Sequence, residues 1–434
     1  MLERKRKLDC ANGREKADLV LKNGNVLNVF TEEVLKADVA ICGDTIVGVG
    51  EYEGKEEIDC TGKYLVPGFI DAHMHIESCM AAPGELAKVL AKAGTTTIIA
   101  DPHEIVNVSG TKGMDYFLKC AAKLLVNVFF MVPSAVPATD VETNGCGEFL
   151  ASDMMKYVDN ARVLGLGETM RFMECCEGEK RMADKLELFA KKHIDGHAPG
   201  IRGKEVQAYR LAGVENDHEC STAEEVLDKL RAGLHIYVRE GSGAKNLETL
   251  IKTMLDAGVC LDRCAFCTDD KHVEEIRKEG HISTCIRKAI ALGVPVAKAY
   301  KMGSYQAAEF YGLKNYGAIG AGYRADIVFL DDLEQVRPLD VMKDGCILTE
   351  EDYAKDYSVP VPDELLHTVH VGEVTKEKIR LSCDGKTDVI QMNPHQIVTT
   401  HLVEEVPAEN GYFKSDGVYN KILSLIHISE PTRL

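Results

Sequence analysis

Pro67-Gly68-Phe69-Ile70-Asp71-Ala72-His73-Met74-His75 is the stretch that decides the fold. Side chains alternate faces along a strand, so a His-x-His pair at a strand end aims both imidazoles the same way. Tyr64-Leu65-Val66 and Phe69-Ile70 are apolar on both faces, as a strand buried in a parallel sheet would be. Two convergent imidazoles at the C-terminal end of such a strand make half of a metal site. The plainer alternative is one satisfied structural histidine beside a surface one. Matching ligands elsewhere in the chain favour the metal reading.

Working outward, Ala17–Asn23-Gly24 reads as a strand running into an Asn-Gly turn, and Val39–Gly50 as a hairpin. A similar phrase returns at Gly322–Leu330. Two β segments around a long middle region predict one small β-sandwich domain built from both flanks. Between them apolar runs at Thr95–Ala100, Val126–Val132, Val163–Leu166, His193–Ile194, Val214–Glu215, Leu234–Val238 and Asp262–Phe266 alternate with helical stretches. Pro83–Lys92, Ser221–Arg231 and Asn246–Asp256 carry helical periodicity, the second behind a Ser-Thr-x-Glu start signal. That is about eight β/α units in roughly 245 residues, the size of a (β/α)8 TIM-like barrel of the α/β class. A doubly wound sheet competes, but no Gly-x-Gly-x-x-Gly follows the first strand and no phosphate loop is present. The expected division is 1–66 and 314–395 for the small β domain, 67–313 for the barrel, and 396–422 for the start of a truncated C-terminal domain.

The chain is 434 residues long, enough for about two or three domains. Its net charge of -18 argues against a nucleic-acid backbone as partner, which wants a basic face. Met1–Lys7 is basic with no apolar segment behind it, and no apolar run reaches the ~20 residues that span a bilayer. No signal peptide and no membrane partner are therefore expected, and the fifteen cysteines should be reduced in the cytoplasm. The Cys264-x-x-Cys267 pair has no second pair at zinc spacing and reads as packed strand residues, and Cys175-Cys176 is read likewise.

On a barrel the C-terminal strand ends converge. Those ends supply His73, His75 and Glu77, then Asp101-Pro102-His103-Glu104, then Glu168, Asp195-Gly196-His197, Asn216-Asp217-His218-Glu219 and Thr268-Asp269-Asp270. Four histidines and two carboxylates exceed the needs of one zinc ion. A bridging Glu168 would allow two divalent ions about 3.5–4 Å apart sharing a hydroxide. Bound metal brings the pKa of water near 7, and Asp269 can take the hydroxide proton and pass it to a leaving group. The expected chemistry is hydrolysis at an sp² carbon. Among the remaining residues His193 should belong to a helix end, His235, His272 and His281 should be ordinary, and Asp270 should cap a helix.

These segments resemble the amidohydrolase superfamily and, within it, the adenine deaminase family. Pro67–Ser78, Gly94–Ile105, Gly165–Glu168, Asp195–Gly200 and Cys267–Asp270 carry the resemblance, with Asp101-Pro102-His103-Glu104 and Gly196-His197-Ala198-Pro199-Gly200 its specific parts. It covers Ala17 to about Met392. It implies hydrolytic deamination of adenine to hypoxanthine and ammonia in purine salvage, at a pair of Mn2+ or Fe2+ ions, with Zn2+ the alternative. By position His73, His75, Glu168, His197, His218 and Asp269 would be metal ligands, with Asp101 and His103 completing the site. Glu77, Glu104, His103 and Glu168 are candidates for the proton delivered to N1. Glu168 stands where related enzymes carry a carboxylated lysine, which argues against the dihydroorotase-like branch. Adenine is the expected partner and a homodimer the expected assembly. The rivals are another cyclic amide or imide substrate and an inactive truncated fragment. Residues 423–434 resemble the translation of a sequencing adapter, a non-biological tail.

Overall fold

At Gly68 the chain leaves one sheet and enters another. In the computed structural model, which describes residues 2–140, 142, 144–368, 373–383, 385–394, 396 and 398–421, the apolar run before His73 is two strands rather than one. Tyr64–Pro67 pairs antiparallel with Ile327–Leu330, whereas Phe69–Met74 pairs parallel with Thr95–Ala100. A Cβ on Gly68 would lie 2.3 Å from Thr96 Oγ1, so the junction needs glycine for close approach. Burial on both faces made the two strands look continuous, and pairing partners separate them.

The flanking strands are β1 (Ala17–Asn28), β2 (Glu33–Cys42), β3 (Thr45–Gly50), β4 (Gly54–Asp59) and β5 (Tyr64–Pro67). The Val39–Gly50 hairpin is present, turning through Gly43 and Asp44 between the paired Cys42 and Thr45. The Asn23-Gly24 turn is not. Asn23 adopts φ 59° in a bulge inside β1, and the strand runs on past it because β2 pairs both halves. In this sheet β1 is shared by β2 on one edge and by β4 and then β5 on the other. The downstream Ile327–Leu330, Asp340–Lys343 and Cys346–Ile347 extend the same sheet beyond β5. Ile46 and Tyr323 then exchange a backbone bond at 2.8 Å, rolling the sheet around Leu21, Val39, Ile41, Leu65 and Phe329. The expected two-sheet sandwich is thus one forked, hydrogen-bonded sheet.

The barrel strands are β6 (Phe69–Met74), β7 (Thr95–Ala100), β8 (Asn127–Val132), β9 (Val163–Thr169), β10 (His193–Gly196), β11 (Asn216–Asp217), β12 (His235–Arg239) and β13 (Cys264–Cys267). Parallel pairing runs from β6 to β10 and from β11 to β13. Asp269 N–H to His73 O (3.0 Å) and Glu215 N–H to Ile194 O (3.0 Å) join the two arcs into a TIM-like ring of eight. Ile70, Ala72, Ile99, Met131, Tyr237 and Cys267 fill the axis. Met74, Ile98, Val128 and Leu166 face the helices, among which Pro83–Lys92 lies where periodicity placed it. Thr222 and Glu225 form a capping box one residue later than the Ser-Thr-x-Glu signal suggested. His193 opens β10 and does not end a helix.

The inner and outer positions reveal how His73 reaches the axis. Along β6, Ile70 and Ala72 face in but Met74 faces out, and the register to β7 slips between Asp71 and Met74. That bulge turns His73 inward and leaves Asp71 outward.

Past the barrel, Lys386–Met392 and Thr399–Glu405 pair as a hairpin across the expected 395/396 boundary, so no division falls there. Ladder hydrogen bonds, invisible to composition, hold the two sides together. The proposed tail at 423–434 lies outside the described residues. Among the described residues no helix is long and apolar enough to cross a membrane. The cysteines are unpaired, and Cys264 and Cys267 are buried on β13.

Candidate metal centre

Glu168 is the hub. It lies one residue before the end of β9, is 2% exposed, and meets imidazoles from three strand ends. His75 Nε2 lies 2.8 Å from its Oε1 and His73 Nε2 3.4 Å from the same oxygen. His197 Nδ1 bonds Oε2, and His218 Nε2 lies 3.4 Å from it. Asp269 Oδ1 faces His75 Nε2 at 3.1 Å and His73 Nε2 at 3.6 Å. The structure therefore brings together all six residues expected as ligands.

Their atoms form overlapping triads with donors mutually within 4.8 Å: His73, His75 and Asp269; His73, Glu168 and His218; and His197, His218 and Glu219. His73 Nε2 and His218 Nε2 are buried with no hydrogen-bond partner among the described residues. Buried polar atoms normally have one, so orphaned nitrogens facing carboxylates fit a bound cation. Nitrogen and oxygen donors in this number suit two divalent ions. Burial pushes the imidazoles down, yet the surrounding carboxylates hold His73 and His197 up at about 9 and His218 at about 10. Burial alone would raise Glu168, but His75 and His197 draw it well below the carboxylate range. Arg239 does the same for Asp269 against its burial.

Asp101 supports the hub from below. Its Oδ2 accepts the Glu168 N–H at 2.9 Å, and its main-chain oxygen meets His75 Nδ1 at 2.9 Å. Burial, then the negative Glu168, pushes its carboxyl up to about 7. Glu77 sits apart, with Oε1 accepting the Ile105 N–H at 2.9 Å. Burial and the neighbouring Glu104 raise it to about 8. His103 starts the next helix with its Nδ1 buried and, among the described residues, unpartnered. Neither Glu77 nor His103 bonds a member of the six-residue cluster among the described residues. Glu104 lies between, 3.4 Å from His75 Nδ1.

Arg239 escaped the sequence reading, and His281 was read there only as an ordinary residue. Arg239 ends β12, one position past the expected run, and binds both Glu219 and Asp269. His281 is fully buried outside the ring, its Nδ1 2.9 Å from Thr95 Oγ1 and its Nε2 3.1 Å from Asp71 Oδ2. Asp71 Oδ1 accepts the N–H of His73 (3.1 Å) and of Thr268 (3.2 Å), linking the first and last strands below the cluster. An arginine at a strand end was a usable signal. Nothing local marked His281. Asp270 caps no helix, since the next one starts at Val273 behind His272; it groups instead with His75 and Glu104. A cavity of about 440 Å³ opens against Asp269 and Asp270, with Gly241 and Ala244 on one wall and Met392 and Asn393 on another.

Comparison with known proteins agrees with this geometry. The family model described as Amidohydrolase family matches residues 64–349. The chain is 46% identical over 412 residues to the adenine deaminase of Desulfitobacterium hafniense, covering 95% of this chain and 72% of that protein. It is 43% identical over 423 residues to that of Clostridium acetobutylicum, covering 96% and 74%. Among solved structures it resembles atrazine chlorohydrolase TrzN from Arthrobacter aurescens complexed with zinc (TM-score 0.57, 16% identity, 77% of this chain and 96% of that one). A β-aspartyl dipeptidase from Fervidobacterium islandicum is similar at TM-score 0.57 and 18% identity, over 78% of this chain and 98% of that one. Identities this low speak for the fold alone. The extended identity to curated relatives and the intact cluster lead to one assignment: the chain belongs to the amidohydrolase family and, within it, to the adenine deaminases.

Proposed function

We propose that this protein hydrolyses adenine to hypoxanthine and ammonia. The observation that carries the reading is Glu168 ringed by His73, His75, His197 and His218 in a chain 46% identical to a curated adenine deaminase. Those four histidines, Glu168 and Asp269 would hold two divalent ions, manganese or iron, with zinc the alternative. When bound, the ions supply Lewis acidity that activates water near neutral pH.

The chain's own groups do the rest. Water adds at C6, the exocyclic C–N bond breaks, and the amino group departs as ammonia. Asp269 is the acceptor of the water proton and its carrier to the leaving group, with one oxygen toward the imidazoles and the other held by Arg239. Asp101 fixes the Glu168 backbone. N1 must be protonated as the ring takes up electrons, and Glu77, His103, Glu104 and Glu168 are the candidates. Glu77, raised to about 8, carries its proton at neutral pH. The cavity beside Asp269 is the substrate's place. A different cyclic amide or imide is not favoured, because the curated relatives at 40–46% identity are named adenine deaminases.

As the protein's working context we infer a cytoplasmic homodimer in purine salvage, with 1–66 and the segment from 314 onward flanking the 67–313 barrel. The shared sheet of the two flanks supports that division.

Ammonia release from adenine by metal-loaded protein, alongside Glu168→Gln, tests the activity. Metal-dependent release that the variant loses supports the reading. A folded protein holding two ions but inert toward adenine would overturn it.

A further inference from the structure

On the outer wall of the barrel lies a second cavity, of about 790 Å³, unconnected to the residues of the metal cluster. Its walls include Arg277, Lys278, Arg287 and Arg337, with Glu279 the one carboxylate among the lining residues. Two other lining cations, Lys92 and Lys288, are already engaged by Glu350 and Glu240. The first four form no ion pair among the described residues. Four cations without an ion-pair partner around one concavity stand out in a chain of net charge -18.

The floor is the start of the helix Ile282–Ala291, whose first N–H groups have no side-chain cap. The cap residue is His281, and its ring is drawn inward to Thr95 and Asp71. Beside it Ser283, 2% exposed, lines the cavity with a hydroxyl that has no hydrogen-bond partner among the described residues. Arg287 is fixed in place by Nη2 bonds to the main-chain oxygen of Glu279 (2.9 Å) and to Thr284 Oγ1 (3.3 Å) and by an Nη1 bond to Gln335 O (3.5 Å), with Nε and one Nη1 hydrogen left for another acceptor. A helix N-terminus, a free buried hydroxyl and a preset guanidinium offer what tetrahedral oxyanions accept.

We propose that this cavity binds a polyphosphate anion, one phosphate seated on Ser283 and the helix start and the next spanning toward Arg277 and Arg337. Calorimetric titration of the full chain with inorganic pyrophosphate at fixed ionic strength tests it. Saturable one-site binding is expected, weakened at least tenfold in Arg277→Gln/Arg337→Gln and several-fold in Ser283→Ala. Both arginines are exposed, so the double variant keeps its fold, and adenine turnover without pyrophosphate should stay at the wild-type level. A parallel titration with a nucleoside diphosphate separates the sources. Tighter binding than pyrophosphate assigns a nucleotide, and equal or weaker binding assigns free polyphosphate. No saturable binding of either probe, or equal affinity in wild type and the double variant, overturns the proposal.

Discussion

Arg239 clasps Glu219 with two guanidinium nitrogens, Nη1 to Oε1 at 2.5 Å and Nη2 to Oε2 at 3.0 Å, and Nη1 also reaches Asp269. One side chain from the seventh strand thus ties the loop after the sixth to the loop after the eighth, the two that carry His218 and Asp269. A bidentate fork gives orientation as well as charge. Lysine offers charge without the fork, so Arg239→Lys should lower kcat about 10–100-fold, as loss of groups that orient metal ligands typically does. Arg239→Met should also destabilise by about 3–5 kcal/mol, because it leaves buried carboxylates without their counter-charge. Steady-state kinetics and denaturant unfolding read the two effects, and wild-type kcat in the lysine variant would refute the orienting role.

Gly167 precedes the hub, and a Cβ there would lie 2.1 Å from Asp101 Oδ2. Asp101 would have to move, releasing the Glu168 N–H. Gly167→Ala should therefore cost about 1–3 kcal/mol of stability through overpacking. Metal affinity should fall about 10–100-fold, measurable by competition with a chromophoric chelator. Unchanged affinity would mean that Asp101 does not position Glu168.

Removal of metal has a thermodynamic signature independent of turnover. A ligand that binds only the folded state stabilises it by about 2.7 kcal/mol at one hundred times its Kd. Treatment with chelator should lower the melting temperature, and manganese or iron should restore it. Glu168→Gln should blunt the response. Identical melting with and without chelator would argue that the six residues hold no ion.

His235 provides a pH test away from the metal cluster. Burial, and then the positive Arg263, lowers its pKa from 6.5 to about 4. Between those values the unfolded chain binds more protons than the folded one, so this group's contribution to stability rises with pH from about 4 to 6.5. His235 packs on Phe310 at 4.5 Å between ring centroids, and His235→Gln removes the titration along with that contact. The variant's urea midpoint relative to wild type should be higher at pH 5 than at pH 7.5. A pH-independent difference would show that His235 titrates alike in both states.

Much of the site was readable along the chain. Each of the six expected ligands lies at or just past the end of an apolar run, and strand period with nearby Gly or Pro is a local signal. Glu168 shows where this weakens. The run seemed to close at Leu166, yet β9 continues to Thr169, because pairing with β10 carries it on past Gly167. Asn23-Gly24 failed for the opposite reason. A dipeptide that suits a tight turn also suits a bulge, and the partner strand chose between them.

By itself, then, the sequence determined the alternation of strands and helices, the donor residues at the strand ends and the resemblance that names their chemistry. All of these rest on neighbours within a few positions. Only the tertiary structure decided that Gly68 separates two sheets, that a slip between Asp71 and Met74 turns His73 to the axis, and that Arg239 and His281 brace the site from other strands and helices. Those outcomes depend on contacts between segments distant in the chain, whose free energy exists only once the ring has closed.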